Sequence, residues 1–233
     1  MSFKAVLFDL DGTLLPLDTE EFLKQYLKLL AGKVAHLIEP EVFITKLLSS
    51  TEVMVANSCG NKTNEEVFME DFLPKLGTKQ IEIMGLIDDF YRNEFKVIKK
   101  VASPIKESRE IVKFLINKGI AVVLASNPVF PLVAFEERMK WAGIEDLPFQ
   151  FVTSFEIMHF CKPNIGYYEE ILSKLQLNAE DCLMVGNDAQ EDLVAGKLGI
   201  KTFLVNDGFI IDRSQGKYQA DYTGKLQDIY KVI

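Results

Sequence analysis

Apolar residues cluster in short, uninterrupted runs at five places: Ala5-Val6-Leu7-Phe8, Ile120 to Ala125, Cys182-Leu183-Met184-Val185, Thr202 to Val205 and, more weakly, Phe149 to Thr153. They are too short and too uniformly hydrophobic for half-exposed hairpins and read as strands buried on both faces of a parallel sheet. Between the later runs lie helical patterns. Ile111, Phe114 and Leu115 close at Gly119, and Leu193 and Leu198 close at Gly199, where a glycine supplies the left-handed cap. The alternation predicts a doubly wound α/β core.

From Leu17 to Lys100 the period changes. Phe22, Leu23, Tyr26, Leu27 and Leu30, then Phe68 and Phe72, then Ile87, Phe90 and Tyr91 recur at helical spacing, and no buried strand intervenes. Breaks are expected at Gly32, Glu39-Pro40, the polar run Ser58 to Asn64, and Leu76-Gly77-Thr78. The predicted organisation is a core of Met1 to Pro16 and Val101 to Ile233, with an all-helical insert over Leu17 to Lys100. Ser103-Pro104 marks the return to the core.

Composition supports this picture. At about one domain per 150 residues, a chain of 233 accommodates a core plus an insert. With 48% apolar and 26% charged residues, disorder is excluded. Lys and Arg number 26 against 34 Asp and Glu, a net charge of −8, which disfavours nucleic acid and anionic membrane surfaces as partners. The insert carries 11 Lys and Arg against 14 Asp and Glu, so a polyanionic substrate is also disfavoured. No apolar run approaches a membrane span, and Asp9 comes too early for a signal peptide; a cytoplasmic protein is expected. Cys59, Cys161 and Cys182 are odd in number and lack C-x-x-C spacing, against both a disulfide framework and a zinc knuckle.

The candidate chemistry sits where apolar runs end. Phe8-Asp9-Leu10-Asp11-Gly12-Thr13 places two carboxylates after the first strand, and in an extended chain residues i and i+2 face the same side. Taken alone, the segment is also an ordinary Asp-Gly turn. Gly186-Asn187-Asp188-Ala189-Gln190-Glu191-Asp192 follows another strand, with Asp188 and Asp192 one helical turn apart. Asp188 with Glu191 also fits a capping box. Parallel strand ends share one edge, where open α/β sheets bind ligands, so Asp9, Asp11, Asp188 and Asp192 are expected to crowd there. Such crowding calls for a cation, and hard oxygen donors suit Mg²⁺. At a third strand end, Ser126 and Asn127 offer polar groups, and Lys162, in Cys161-Lys162-Pro163-Asn164, offers a point charge for a phosphoryl group. His36 and His159 have no partner at metal spacing, and Cys161 reads as a packing residue. Asn61, Lys62 and Asn64 read as solvated loop that can also touch substrate.

Four segments in this order resemble the haloacid dehalogenase-like hydrolase superfamily, specifically its phosphatases with a helical cap. Asp9-Leu10-Asp11-Gly12-Thr13 matches the first motif, Ser126 the second, Lys162-Pro163 the third, and Gly186-Asn187-Asp188 through Asp192 the fourth. The resemblance implies that Asp9 attacks phosphorus to form an aspartyl-phosphate and that Asp11 protonates the leaving alcohol, then deprotonates the hydrolytic water. It further implies that Asp9, the Asp11 carbonyl and Asp188 hold Mg²⁺ with Asp192 nearby, that Ser126 and Asn127 bind substrate, and that Lys162 neutralises developing charge. Asn187 departs from the Gly-Asp-Ser common in the family, and Cys161 stands where small residues are common. The resulting expectation is a phosphatase acting on a small phosphorylated metabolite. A phosphomutase of the same superfamily and a phosphate-accepting signalling module are the alternatives.

Overall fold

Each apolar run becomes a strand of one sheet in the computed structural model, which describes residues 3–207, 210–213 and 215–233. Ala5–Phe8 form β1, Ala121–Leu124 β2, Phe151–Val152 β3, Cys182–Gly186 β4, Lys201–Val205 β5 and Tyr222–Gly224 β6. Their order is β3-β2-β1-β4-β5-β6, and every pairing is parallel. The register sets Phe8 opposite both Leu124 and Val185, so β1, β2 and β4 end level with one another at the carboxyl edge.

Alternation along the strands sorts side chains onto two faces. Val6, Phe8, Val122, Leu124, Leu183 and Val185 pack with α5 (Lys106–Asn117) and α6 (Leu132–Ala142). Ala5, Leu7, Val123, Cys182 and Met184 pack with α7 (Ile165–Leu175) and the 3₁₀ helix Leu193–Leu198. Helices on both faces of a parallel sheet define the doubly wound α/β core that the sequence predicts.

Between β1 and β2 the described chain is helical: α1 (Thr19–Val34), α2 (Pro40–Ala56), α3 (Asn64–Leu76), α4 (Gln80–Asp89), then a π turn and a 3₁₀ segment ending at Val101. Side-chain caps start three of these helices, from Asp18, Glu39 and Thr63. The break expected at Gly32 is absent, because Gly32 is exposed inside α1 and helical neighbours on both sides carry the chain through to Val34. The two connecting segments pair as an antiparallel bridge at Leu17 and Ala102, and Ser103 N–H donates to the Pro16 carbonyl at 2.9 Å.

The helices between the strands share one apolar cluster with the sheet. Phe22 meets Phe130 edge-on at 5.9 Å, and Phe95 stacks on Trp141 at 5.5 Å. A second junction is polar. Asn64 is fully buried; its N–H donates to the Met158 carbonyl at 2.7 Å and its side-chain amide reaches the carbonyls of Pro128 and Phe160. Asn64 therefore ties α3 to two core loops, whereas Asn61 stays exposed and Lys62 pairs with Glu70. β6 is not foreseen by the sequence pattern: it is three residues long and half-exposed, and Asp221 holds its start by accepting from Thr202 N–H at 2.9 Å. Among the described residues no helix is long and apolar enough to cross a membrane.

Replacing Asn64 by Ala leaves buried carbonyls unpaired, a loss of about 1–3 kcal/mol. Urea denaturation should show that decrease, and an unchanged midpoint would show that this junction carries no load.

Candidate active site

Asp9 follows the last residue of β1, and its N–H continues the ladder by donating to the Val185 carbonyl at 2.9 Å. The chain then folds back on itself: Leu15 N–H donates to the Leu10 carbonyl at 2.8 Å and Gly12 N–H to the Leu15 carbonyl at 2.8 Å. Gly12 takes a φ of +84°, and a Cβ there would stand 2.3 Å from Asn187 Nδ2. Thr13 Oγ1 donates to Asn187 Oδ1 at 3.0 Å. The departure at Asn187 thus has a structural use, joining the turn after β1 to the turn after β4.

Lys162 is the centre of the charge arrangement. Only 1% exposed, it lies 3.2 Å from Asp9 Oδ1 and 2.6 Å from Asp192 Oδ1. Its main chain is clasped by Asn127, whose Oδ1 accepts from Lys162 N–H at 3.1 Å and whose Nδ2 donates to Glu191 Oε2 at 3.1 Å. Asp192 Oδ2 accepts from Asp188 N–H at 2.9 Å. This close return requires Gly186, where a Cβ would come within 2.0 Å of Asp192 Oδ2. Ser126, nearly buried, has its carbonyl held by Thr153 Oγ1 at 2.7 Å and Tyr167 OH at 2.9 Å.

Asp11 and Asp188 each have an arginine as direct partner. The Asp11 carboxylate pairs with Arg138 of α6, whose guanidinium is buried among Phe22, Phe130 and Phe135. Asp9 and Asp11 lie near enough to act on each other, and Lys162 acts on both, but the direct partner of Asp11 is Arg138 and that of Asp9 is Lys162. Asp188 Oδ1 accepts from Gln190 N–H and Glu191 N–H at 2.8 and 3.0 Å, and Oδ2 pairs with Arg213 at 2.5 Å. The capping-box expectation fails in two respects: Asp192, not Glu191, returns to Asp188 N–H, and turns rather than an α-helix follow. Arg138 and Arg213 are residues that sequence reasoning missed; an arginine in an amphipathic helix, as Arg138 is, resembles a surface residue until three rings are folded round it.

The crowding expected of the strand-end carboxylates is relieved by the chain itself. Asp9, Asp11, Asp188, Glu191 and Asp192 face Lys162, Arg138 and Arg213. Among the described residues no three His, Cys, Asp or Glu side chains gather as a ready ligand set. Yet five carboxylates against three cations leave two formal negative charges, and Asp11 Oδ1 is buried without a hydrogen-bond partner. Hard oxygen donors with surplus negative charge at one sheet edge fit a hard divalent cation.

Burial raises Asp9 above the ordinary carboxylate value against the pull of Lys162, and raises Asp11 against the pull of Arg138. Asp192 is pushed up to about 6 for the same reason. Burial alone would push Lys162 down, but Asp192 and Asp9 prevail and hold it well above the usual lysine value. Cys161 is buried, and burial drives its thiol up to about 12, as befits a packing residue. His36 is exposed, and His159 is bound to Glu170 at 2.8 Å.

The parallel α/β core thus gathers acidic strand ends and a buried lysine at its carboxyl edge. The sequence model of the haloacid dehalogenase-like hydrolases matches residues 3–199, and the chain belongs to that family. It is 22% identical to the pyrophosphatase PpaX of Halalkalibacterium halodurans, over all of this chain and 98% of that protein. The HAD phosphatase from Thermococcus onnurineus superposes with a TM-score of 0.62 at 19% identity, covering 98% of this chain and 97% of that one. The 2-haloacid dehalogenase from Pseudomonas syringae pv. Tomato DC3000 superposes with a TM-score of 0.63 at 16% identity, covering 99% and 97%.

Glu191 supplies a pH test. Burial first, with Asp188 and Asp192 adding to it, pushes its carboxyl up to about 7. A raised folded-state value means stability fully present below about pH 4.3, the ordinary glutamate value, and lost as pH rises through 7. In metal-stripped protein, Glu191→Gln should flatten the stability profile between pH 4 and 8 by about 3–4 kcal/mol. A parallel profile in the variant would contradict this.

Proposed function

We propose that the protein is a phosphatase that hydrolyses a small-molecule phosphomonoester through an aspartyl-phosphate on Asp9, with the helices of residues 17–100 acting as a cap over the site. The observation that carries this reading is the Asp9 carboxylate at the end of central strand β1, 3.2 Å from the ammonium of fully buried Lys162. In the first step an Asp9 oxygen bonds to phosphorus as the bond to the leaving oxygen breaks, and Asp11 gives that oxygen a proton. In the second, Asp11 takes a proton from water, the water oxygen bonds to phosphorus, and the bond to Asp9 breaks to release phosphate. Splitting one difficult displacement into two lowers the barrier of each. Burial holds Asp11 above the ordinary carboxylate value, the direction a proton donor needs. Lys162 stands ready to offset charge building on the phosphoryl oxygens, Asn127 is bonded to its main chain, and Ser126 and Asn127 are assigned to substrate binding. Mg²⁺, held by Asp9, Asp188 and the Asp11 carbonyl with Asp192 nearby, would add Lewis-acid stabilisation.

The pyrophosphatase and phosphatase among the similar proteins support phosphoryl chemistry. Asp11 favours it over dehalogenation, because a halide departs without a proton whereas an alkoxide does not.

Chelation should abolish phosphate release and Mg²⁺ restore it; full activity in metal-stripped protein would refute the metal assignment. Asp9→Asn should reduce turnover to background. Asp11→Asn should cost about 10²–10⁴-fold with an alkyl phosphate and far less in the first step with an aryl phosphate, whose leaving group needs little protonation. An aspartyl-phosphate trapped by acid quench on Asp9 identifies the nucleophile, and a phosphoryl group found on Ser126 would overturn it.

A further inference from the structure

A cavity of about 730 Å³ lies among α1 to α4 and the core loops after β2 and β3. Its walls are chiefly apolar, with Leu47, Phe68, Met69, Phe72 and Ile87 on the helices and Phe130 on the core. Its core end reaches Glu191 and Arg213, and Arg213 is in contact with Asp188. The space is therefore continuous with the edge of the catalytic centre, and it is far larger than a phosphate. Cavities of about 300–1,000 Å³ hold whole organic ligands.

The polar groups in its wall are mainly acidic. Glu156 Oε1 accepts from Leu132 N–H at 2.8 Å, but Glu156 Oε2 is buried with no hydrogen-bond partner. Glu65 stands beside it, its own N–H donating to the Phe155 carbonyl at 2.9 Å, and burial together with Glu156 raises the Glu65 carboxyl. Among the described residues no ion pair reaches Glu65 or Glu156, while Arg92 is engaged by Asp88 and Arg213 by Asp188. Carboxylates in a largely apolar wall with no cation beside them among the described residues favour a cationic partner. An anionic group would meet two unneutralised carboxylates there.

We infer that this cavity seats the leaving group of the substrate, and that the leaving group is an apolar body carrying an ammonium that meets Glu156 and Glu65. The inference rests on the phosphatase reading and narrows it: pyrophosphate and carboxylated phosphoesters are poor substrates, and phosphate monoesters of apolar amino alcohols are good ones.

The test compares four substrates with the Mg²⁺-loaded protein: ethyl phosphate, 3-phenylpropyl phosphate, 2-amino-3-phenylpropyl phosphate and pyrophosphate. The phenyl group should raise kcat/KM at least about tenfold over ethyl phosphate, as expected for burying a ring. The amine should raise it further. Glu156→Gln should remove the gain from the amine and keep the gain from the phenyl group. Met69→Trp, or Leu48→Trp at the cavity's edge should the first not fold, should bring the phenyl-to-ethyl ratio towards one. Calorimetry with 3-phenylpropylamine, which has no phosphate, reads the cavity independently of turnover: the amine should bind the wild type and bind both variants more weakly. Preference for pyrophosphate, or failure of 3-phenylpropylamine to bind, would overturn the inference even if ethyl phosphate is hydrolysed. Absence of phosphate release from every substrate would sink the phosphatase reading instead, and the calorimetry would then decide the cavity alone.

Discussion

A lysine ammonium cut off from water has to be met by carboxylates, and Lys162 imposes that demand on the whole carboxyl edge of the sheet. It draws Asp9 from the end of β1 and Asp192 from beyond β4 to one point. Asp192 in turn fixes the backbone at Asp188, an approach that only a glycine at 186 permits. Asn127 clasps the Lys162 main chain from the loop after β2. One buried charge thus sets the relative positions of three strand ends, and removing both carboxylate partners would leave it uncompensated.

The core strands were legible because burial on both faces leaves continuous apolar runs, as at Ala5–Phe8 and Cys182–Gly186. β6 was not, since an edge strand of three half-exposed residues, one of them glycine, has no apolar run to display. The acidic strand ends were legible as a group, but their individual partners were not. Asp11 faces Arg138 and Asp188 faces Arg213, and an arginine's burial depends on rings brought in from elsewhere in the chain, here Phe22, Phe130 and Phe135. Asn64 was legible only as a polar loop residue. Its burial follows from α3 docking on two core loops, a tertiary event with no local signature.

The two faces of the sheet are unequal. The side bearing α7 closes on itself as a small cluster, whereas the side bearing α5 and α6 runs without interruption into the helices between β1 and β2. Aromatic contacts such as Phe95 on Trp141 carry that continuity, and Arg138 sits within the same layer while holding Asp11. Packing in the helical layer and the position of an acidic residue at the sheet edge are therefore mechanically linked through one side chain.

The insertion of four helices directly after β1 also has a consequence for biosynthesis. β1 pairs only with β2 and β4, and Asp9 and Lys162 are separated by 153 residues, Thr13 and Asn187 by 174. The helices between them make mainly near-neighbour contacts and are able to form while the ribosome is still working, but β1 meets β2 only once residues 121–124 are made and β4 only once residues 182–186 follow. The strand that leads to Asp9 therefore keeps one edge open until β4 has been made.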